Sequence, residues 1–151
     1  MINRVINKLD DYAKVAFPHA LEISRSQKHV SLILDRKGNV LSVGNNDHRM
    51  HPEAAKIGYR FDELHSELDA LLRLHPRNKH NKSLILFNFR FNRFGDLRMS
   101  RPCAKCIPWC NALFKRIIYT TRQGYEVIIP HRGETKSIEM PVDRLNMKGI
   151  L

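Results

Sequence analysis

The chain has 151 residues, 42% of them hydrophobic, and a formal net charge of +11. This length and apolar content suffice for one buried core, so we expect a single domain spanning residues 1–151. No apolar run is long enough to cross a bilayer, and the N-terminus lacks the pattern of a secretion signal, which favours a cytoplasmic protein that binds no membrane. The positive charge favours nucleic acid or nucleotides as partners, although a basic surface can also serve solubility alone.

Three helices and five strands are predicted along the chain. Apolar residues at helical spacing predict an N-terminal helix over about residues 3–17, which Pro18 ends. Two apolar runs, 29–36 and 40–46, flank Lys37-Gly38-Asn39 and predict a β-hairpin. The later elements are a helix over 61–75, a central strand over 83–91, a turn over 92–95, a helix ending near 115, and strands over 116–121 and 125–130.

This order of elements predicts an α/β fold. Helices that cross between neighbouring strands pack on both faces of a sheet, so we expect three layers, α/β/α, around a mixed five-stranded sheet. The core of the domain should extend over about residues 29–130. The tail, residues 131–151, receives no assignment.

Two short segments contain residue types that bind zinc. His65 lies in the predicted second helix, and Cys103 and Cys106 follow Pro102 at the start of the third. Imidazole and thiolate are preferred zinc ligands, and a catalytic zinc has three protein ligands with the fourth position left for water. All three cysteines lie between residues 103 and 110, which fits a local metal site in a reducing compartment better than a disulfide framework.

Glu67 is predicted to move the protons at this site. Zinc lowers the pKa of a bound water to roughly 7, and a nearby carboxylate can take the water proton and pass it to a substrate. Pro108 would cost about 3 kcal/mol inside a helix unless it lies in the first turn. We therefore expect the third helix to begin near Cys106, with residues 103–105 in a tight turn.

The two segments together form a known signature. His-x-Glu followed by Pro-Cys-x-x-Cys is typical of zinc nucleobase deaminases. With the element order of residues 29–121, the chain resembles the cytidine and deoxycytidylate deaminase superfamily, and residues 51–70 look most like small phage-encoded members. Three departures are Ser66, where alanine is common, a long interval between Glu67 and Pro102, and Pro108.

The resemblance implies a fold, a reaction and a set of roles. The fold would be cytidine-deaminase-like, with zinc held by His65, Cys103 and Cys106 and protons moved by Glu67. The reaction would be hydrolytic deamination, cytosine to uracil. Family members also hold the sugar through an asparagine in a Gly-x-Asn turn after the second strand, which Asn46 matches.

Further substrate contacts are predicted beside the motifs, each with a plainer alternative. Basic residues near Pro102 are candidates for phosphate contacts, and Trp109 is a candidate wall of the base pocket. These basic residues are Arg93, Arg98, Arg101 and Lys105. Trp109 and Cys110 can equally be core residues, and Asn46 can be a turn residue. Phe87, Phe89 and Phe91 alternate with polar residues; one buried strand face is favoured over a base-stacking platform.

Three functions remain open at this point. The first is a deaminase acting on a base in single-stranded DNA or RNA, which the net charge favours. The second is a metabolic enzyme for free cytidine or deoxycytidylate. The third is a non-catalytic nucleic-acid-binding protein with a structural zinc, which has no need of an acid beside the metal. The oligomeric state is left open.

Overall fold

The computed structural model describes residues 9–23, 27–46, 56 and 65–139. The predicted helical residues 3–8 and 61–64, and residues 140–151 of the tail, lie outside this range. The regular elements are α1 (Leu9–Leu21), β1 (Lys28–Leu34), β2 (Val40–Asn45), α2 (Ser66–Arg73), β3 (Ile85–Phe91), α3 (Ile107–Leu113), β4 (Arg116–Thr120), β5 (Gly124–Ile129) and β6 (Glu134–Glu139).

The strands form one mixed sheet in the order β2-β1-β3-β4-β5-β6. Neighbours β3 and β4 are parallel, and all other neighbouring pairs are antiparallel. The α/β class and the interior position of β3 are confirmed, but the prediction of five strands was wrong. The sixth strand, β6, lies in the segment that received no assignment, because its residues are almost all exposed and carry no apolar alternation. Backbone pairing with β5 defines it instead.

Two hydrophobic clusters cover the two faces of the sheet. On one face, α1 packs against alternate residues of β1, β3, β4 and β5. On the other, α2 and α3 pack against the residues that point the opposite way, such as Ile33, Leu86 and Ile117. The helices therefore form the outer layers, and α2 and α3 lie side by side on the face that carries the candidate site.

Helix α1 continues past Pro18 to Leu21, so the prediction that Pro18 ends it was wrong. A proline inside a helix removes one backbone hydrogen bond and crowds the preceding turn. The additional turn buries Ala20 against the sheet and leads to Ile23, which is buried in the same cluster. Burial of these apolar groups offsets the cost of the proline.

The aromatic residues of β3 belong to the core. Phe87 and Phe89 are 0% and 1% exposed, with their ring centroids 4.4 Å apart in a stacked arrangement. Phe91 stacks on Phe89 at 5.9 Å, and Phe17 of α1 contacts Phe91 edge-on. The predicted burial of the phenylalanine face is confirmed, and rings this deeply buried offer no surface on which a base could stack. The opposite face of β3 is covered as well, so the expectation of a single buried face was wrong.

We expect Phe89→Ala to lower the free energy of unfolding by about 3–5 kcal/mol, since it removes a large buried ring and leaves a cavity. Urea unfolding followed by circular dichroism would measure this change. Phe94→Ala is the control, because Phe94 is 56% exposed and its loss should cost far less. Equal losses from the two substitutions would contradict the assignment of Phe89 to the core.

Candidate metal centre

His65 lies immediately before α2 and caps its N-terminus. Its backbone is extended (φ −73°, ψ 147°), and its carbonyl accepts a hydrogen bond from the N–H of Asp69 at 3.0 Å. The helix begins at Ser66, so the placement of His65 inside the helix was wrong by one residue. A capping residue leaves the helical path, which allows the half-buried imidazole to turn toward the neighbouring segment.

Helix α2 is fixed on β2 by a close backbone approach. A Cβ on Gly44 would lie 2.2 Å from the N atom of Ala70 and 2.4 Å from the O atom of Ser66, so only glycine fits there. Ser42 Oγ donates to the carbonyl of Ala70 at 2.6 Å, and the N–H of Asn45 donates to Asp69 Oδ2 at 3.0 Å. These contacts set the position of the helix end that carries His65.

The two cysteines lie on a tight turn that leads into α3. The carbonyl of Cys103 accepts from the N–H groups of Cys106 and Ile107 at 3.0 and 2.9 Å, and the regular helix starts at Ile107. Pro108 falls in the first helical turn, where its missing N–H costs no bond. The predicted turn over residues 103–105 and the late helix start are both confirmed.

His65, Cys103 and Cys106 come together at the adjoining ends of α2 and α3. Their ligand atoms all lie within 4.8 Å of one another, and both sulfurs are 3.6 Å from His65 Nδ1. Zinc bonds of about 2.3 Å to sulfur and about 2.0 Å to nitrogen, at a tetrahedral angle, separate two such ligands by about 3.5 Å. The distances and the donor set therefore fit a metal ion of the zinc type.

The third cysteine is not part of this cluster. Cys110 is fully buried among apolar residues of α2, α3 and the sheet, and burial strongly raises the pKa of its thiol. A thiol that resists ionisation is a poor metal ligand. Among the described residues the cluster therefore offers three ligands.

Glu67 is buried directly beside the cluster. Its side chain is 5% exposed, and Oε2 lies 3.7 Å from the Sγ atom of Cys106. Burial raises the pKa of the Glu67 carboxyl above its ordinary value, and its own backbone N–H, His65 and Asn88 act in the opposite direction. The other oxygen, Oε1, accepts a hydrogen bond from Asn88 Nδ2 at 2.7 Å.

Asn88 of β3 is the centre of a buried polar network that the sequence pattern did not predict. Its Nδ2 donates to Glu67 and, at 3.2 Å, to the carbonyl of Ser100. Its Oδ1 accepts from Ser31 Oγ at 2.7 Å, and Ser31 Oγ also shares a 2.7 Å hydrogen bond with Ser66 Oγ. Both amide protons and the oxygen of Asn88 are therefore engaged. Asn88 holds Oε1 of Glu67 and leaves Oε2 of Glu67 beside the cysteine of the cluster.

The alternating pattern of β3 concealed this role. Asn88 and Phe89 lie on opposite faces of β3. When phenylalanines occupy the buried face, alternation predicts that the polar residues between them are exposed to solvent. In the structure both faces of β3 are covered, and Asn88 is 2% exposed. The one available signal in the sequence is an asparagine within a strand that is predicted to lie in the interior of the sheet.

We expect Asn88→Ala to lower the free energy of unfolding by about 1–3 kcal/mol, because it removes one buried hydrogen bond each from the Glu67 carboxylate and the Ser31 hydroxyl. Urea unfolding at pH 7 would measure the change. Asn39→Ala is the control, since Asn39 is exposed in the β1–β2 turn and bonds only to Asp35 there. If Asn88→Ala lowered the free energy of unfolding no more than Asn39→Ala does, the buried network around Asn88 would not stabilise the fold as proposed.

Asn46, the predicted sugar contact, lies just after β2 with its amide bonded to the backbone of the preceding segment. Its Oδ1 accepts from the N–H of His29 at 3.0 Å, and its Nδ2 donates to the carbonyl of Gln27 at 3.1 Å. These bonds extend the β1–β2 pairing by one residue. A contact between Asn46 and a sugar stays a prediction.

The other predicted substrate residues surround the cysteine turn or lie on the loop before it. Arg101 and Lys105 are exposed, and Trp109 is half-buried against the core of the α2–α3 face. Burial and a hydrogen bond to Glu126 raise the pKa of Tyr119, in β4, to about 12. The positive charge of Arg101 partly opposes this rise. Arg93 lies over the Phe94 ring at 4.8 Å and lines a cavity of about 390 Å³ that Arg98 also lines. Their contacts with a substrate stay predictions.

Comparisons with known proteins assign no family. No protein-family model matches the chain, and no curated protein matches it. Among the described helices, none combines the length and the apolar character needed to cross a membrane. The geometry of the candidate metal centre is therefore the feature from which a function can be inferred.

Proposed function

We propose that this protein is a zinc-dependent hydrolytic deaminase that converts cytosine to uracil. The observation that carries the proposal is the placement of Glu67. A buried carboxylate lies 3.7 Å from a cysteine sulfur of a three-ligand centre and is held there by Asn88. Together with the resemblance of His65-Ser66-Glu67 and Pro102 to Cys106 to the deaminase signature, this arrangement has a direct chemical use.

A purely structural zinc is the weaker alternative. Structural zinc sites are closed by four protein ligands, whereas the described residues assemble three, and the nearest additional cysteine belongs to the core. A buried acid beside a structural zinc would also lower the stability of the fold without contributing to the site, because an ionised carboxylate is poorly accommodated away from water. These two features favour a catalytic centre.

The chemistry divides between the metal and the protein. Zinc held by the two sulfurs and the imidazole would supply a water activated for attack near neutral pH. Glu67 would take a proton from the attacking water and give it to ring nitrogen N3 of cytosine. It would then carry the second proton to the exocyclic nitrogen, which leaves C4 as ammonia. Asn88 would keep the Glu67 carboxylate oriented through both transfers.

The proposed substrate form is a cytosine in single-stranded DNA or RNA. The net charge of +11 favours a polyanion over a small nucleotide, and Arg101 and Lys105 are exposed on either side of Cys103. A base must leave its stack to enter a pocket, which costs least in a single strand. Free cytidine or deoxycytidylate is the alternative that the resemblance supports equally.

The experiment is a substrate panel. Purified zinc-loaded protein would be incubated with cytidine, deoxycytidylate, single-stranded DNA, RNA and the corresponding adenine substrates, and products identified by mass. Uracil in an oligonucleotide, formed at a rate that falls steeply with salt, is the expected result. Salt-insensitive turnover of a free nucleotide would favour the metabolic alternative. Absence of turnover on every substrate would exclude the deaminase.

A further inference from the structure

A second, basic cleft lies at the opposite end of the α2–α3 layer from the metal centre. It has a volume of about 910 Å³ and is lined by the end of α2, the loop before β3, the end of α3 and the turn after β5. His65 and Cys106 lie at the N-terminal ends of the two helices, whereas this cleft lies at their C-terminal ends. The seven residues of α3 place it roughly 10 Å from the metal centre.

The rim of the cleft is basic. Five of its lining residues are basic in type, and none of the described lining residues is an aspartate or glutamate. These are Lys79, His80, Lys82, Lys115 and His131. All five are exposed, and within the described part of the chain none of the three lysines forms an ion pair. The positive charge on this rim is therefore available to an anionic partner.

The floor of the cleft is apolar. Leu84 and Phe114 are buried beneath it, and Leu113, 40% exposed, contributes an open hydrophobic surface. Flexible lysines around an apolar floor suit a single strand of nucleic acid, whose phosphates would contact the lysines and whose bases would contact the floor. Such contacts do not depend on the base sequence of the strand. No charged side chain buried in the cleft would fix the orientation of a small ligand, so an extended polyanion fits better than a mononucleotide.

We propose that this cleft binds the backbone of single-stranded nucleic acid as a site separate from the metal centre. The lysines on its two sides contact phosphates, and the bases pack on Leu113 and its neighbours. This inference goes beyond the proposed reaction and does not depend on it. The cleft would hold a strand whether or not the metal centre acts on one of its bases.

The test measures binding of a fluorescent oligothymidylate to the full zinc-loaded chain by anisotropy, over a range of NaCl concentrations. Thymine has no exocyclic amino group, so the result is independent of deamination. A double variant, Lys82→Gln with Lys115→Gln, removes one charge from each side of the cleft. We expect roughly tenfold weaker binding at 0.1 M NaCl and a slope of log K against log salt reduced by about 1.4, since each phosphate contact in a single strand contributes about 0.7.

The control is a second double variant, Lys14→Gln with Lys37→Gln, which removes the same charge from α1 and from the turn that contacts α1. Both lysines are exposed, and they lie away from the cleft. This variant should bind within about twofold of the wild type. Equal losses from the two double variants would show that charge acts non-specifically and would overturn the proposal. Displacement of the probe by thymidylate at an equal phosphate concentration would also overturn it, because the cleft would then be a small-molecule site.

Discussion

Replacing Glu67 by glutamine should abolish deamination while leaving the metal in place. Glutamine keeps the size of the side chain and can still bond to Asn88, but it cannot accept the proton of the attacking water. Because general acid–base catalysis contributes about 10²–10⁴ to a rate, and this residue would act in both transfers, we expect a loss of at least about 10³-fold. Turnover of a cytosine-containing oligonucleotide and zinc content by atomic absorption would be measured on the same preparation.

The matched control for Glu67 is Asp69→Asn. Asp69 is the other buried acid of α2, two residues further along, and its Oδ2 accepts from the N–H of Asn45. An asparagine can still accept that bond, so the position of α2 should be kept and turnover should stay within about tenfold of the wild type. Full activity in Glu67→Gln, or equal losses in the two variants, would show that Glu67 is not the proton carrier.

Cys106→Ala should remove the metal, whereas Cys110→Ala should not. Both cysteines are fully buried and lie four residues apart on the same turn and helix, so the two substitutions cost similar packing. Of these two, only Cys106 belongs to the cluster of ligands, with its sulfur 3.6 Å from His65 Nδ1. We expect wild type and Cys110→Ala to bind about one zinc per chain, and Cys106→Ala to bind it more than about 100-fold more weakly, a loss larger than that caused by changing an outer partner of a ligand.

Zinc also provides a readout of stability in these variants. A ligand that binds only the folded state stabilises it by RT ln(1 + [L]/Kd), about 2.7 kcal/mol when zinc exceeds its Kd a hundredfold. Added zinc should therefore raise the melting temperature of wild type and Cys110→Ala but not of Cys106→Ala. A zinc-dependent shift in Cys106→Ala, or its absence in Cys110→Ala, would assign the metal to a different set of ligands.

The sequence predicted the three ligands that the structure brings together because their spacing depends on local pattern. His65 and Glu67 are two residues apart and Cys103 and Cys106 are three apart, so their relative placement follows from one helix end and one turn. The late start of α3 followed from Pro108, which has no place in a helix interior. Element order likewise followed from apolar periodicity, which made the α/β class and the position of β3 predictable.

The limits of the sequence appear where long-range contacts outweigh local preference. Burial of Ala20 and Ile23 favours continuation of α1 past Pro18, and pairing with β5 defines β6 although its residues are exposed and mostly polar. Asn88 became recognisable only when the sheet brought it against Glu67, 21 residues away in sequence. The basic cleft is likewise formed by four separate segments.

The sequence by itself therefore determined which residues offer metal-ligand atoms and that a carboxylate lies two residues from His65, because the donor types and their spacing are properties of short segments. Only the tertiary structure decided how those segments meet. Gly44 allows α2 to lie on β2, the turn at Cys103 brings two sulfurs to His65, and Asn88 orients the carboxylate. Each of these depends on packing between elements distant in the chain, which no local pattern encodes.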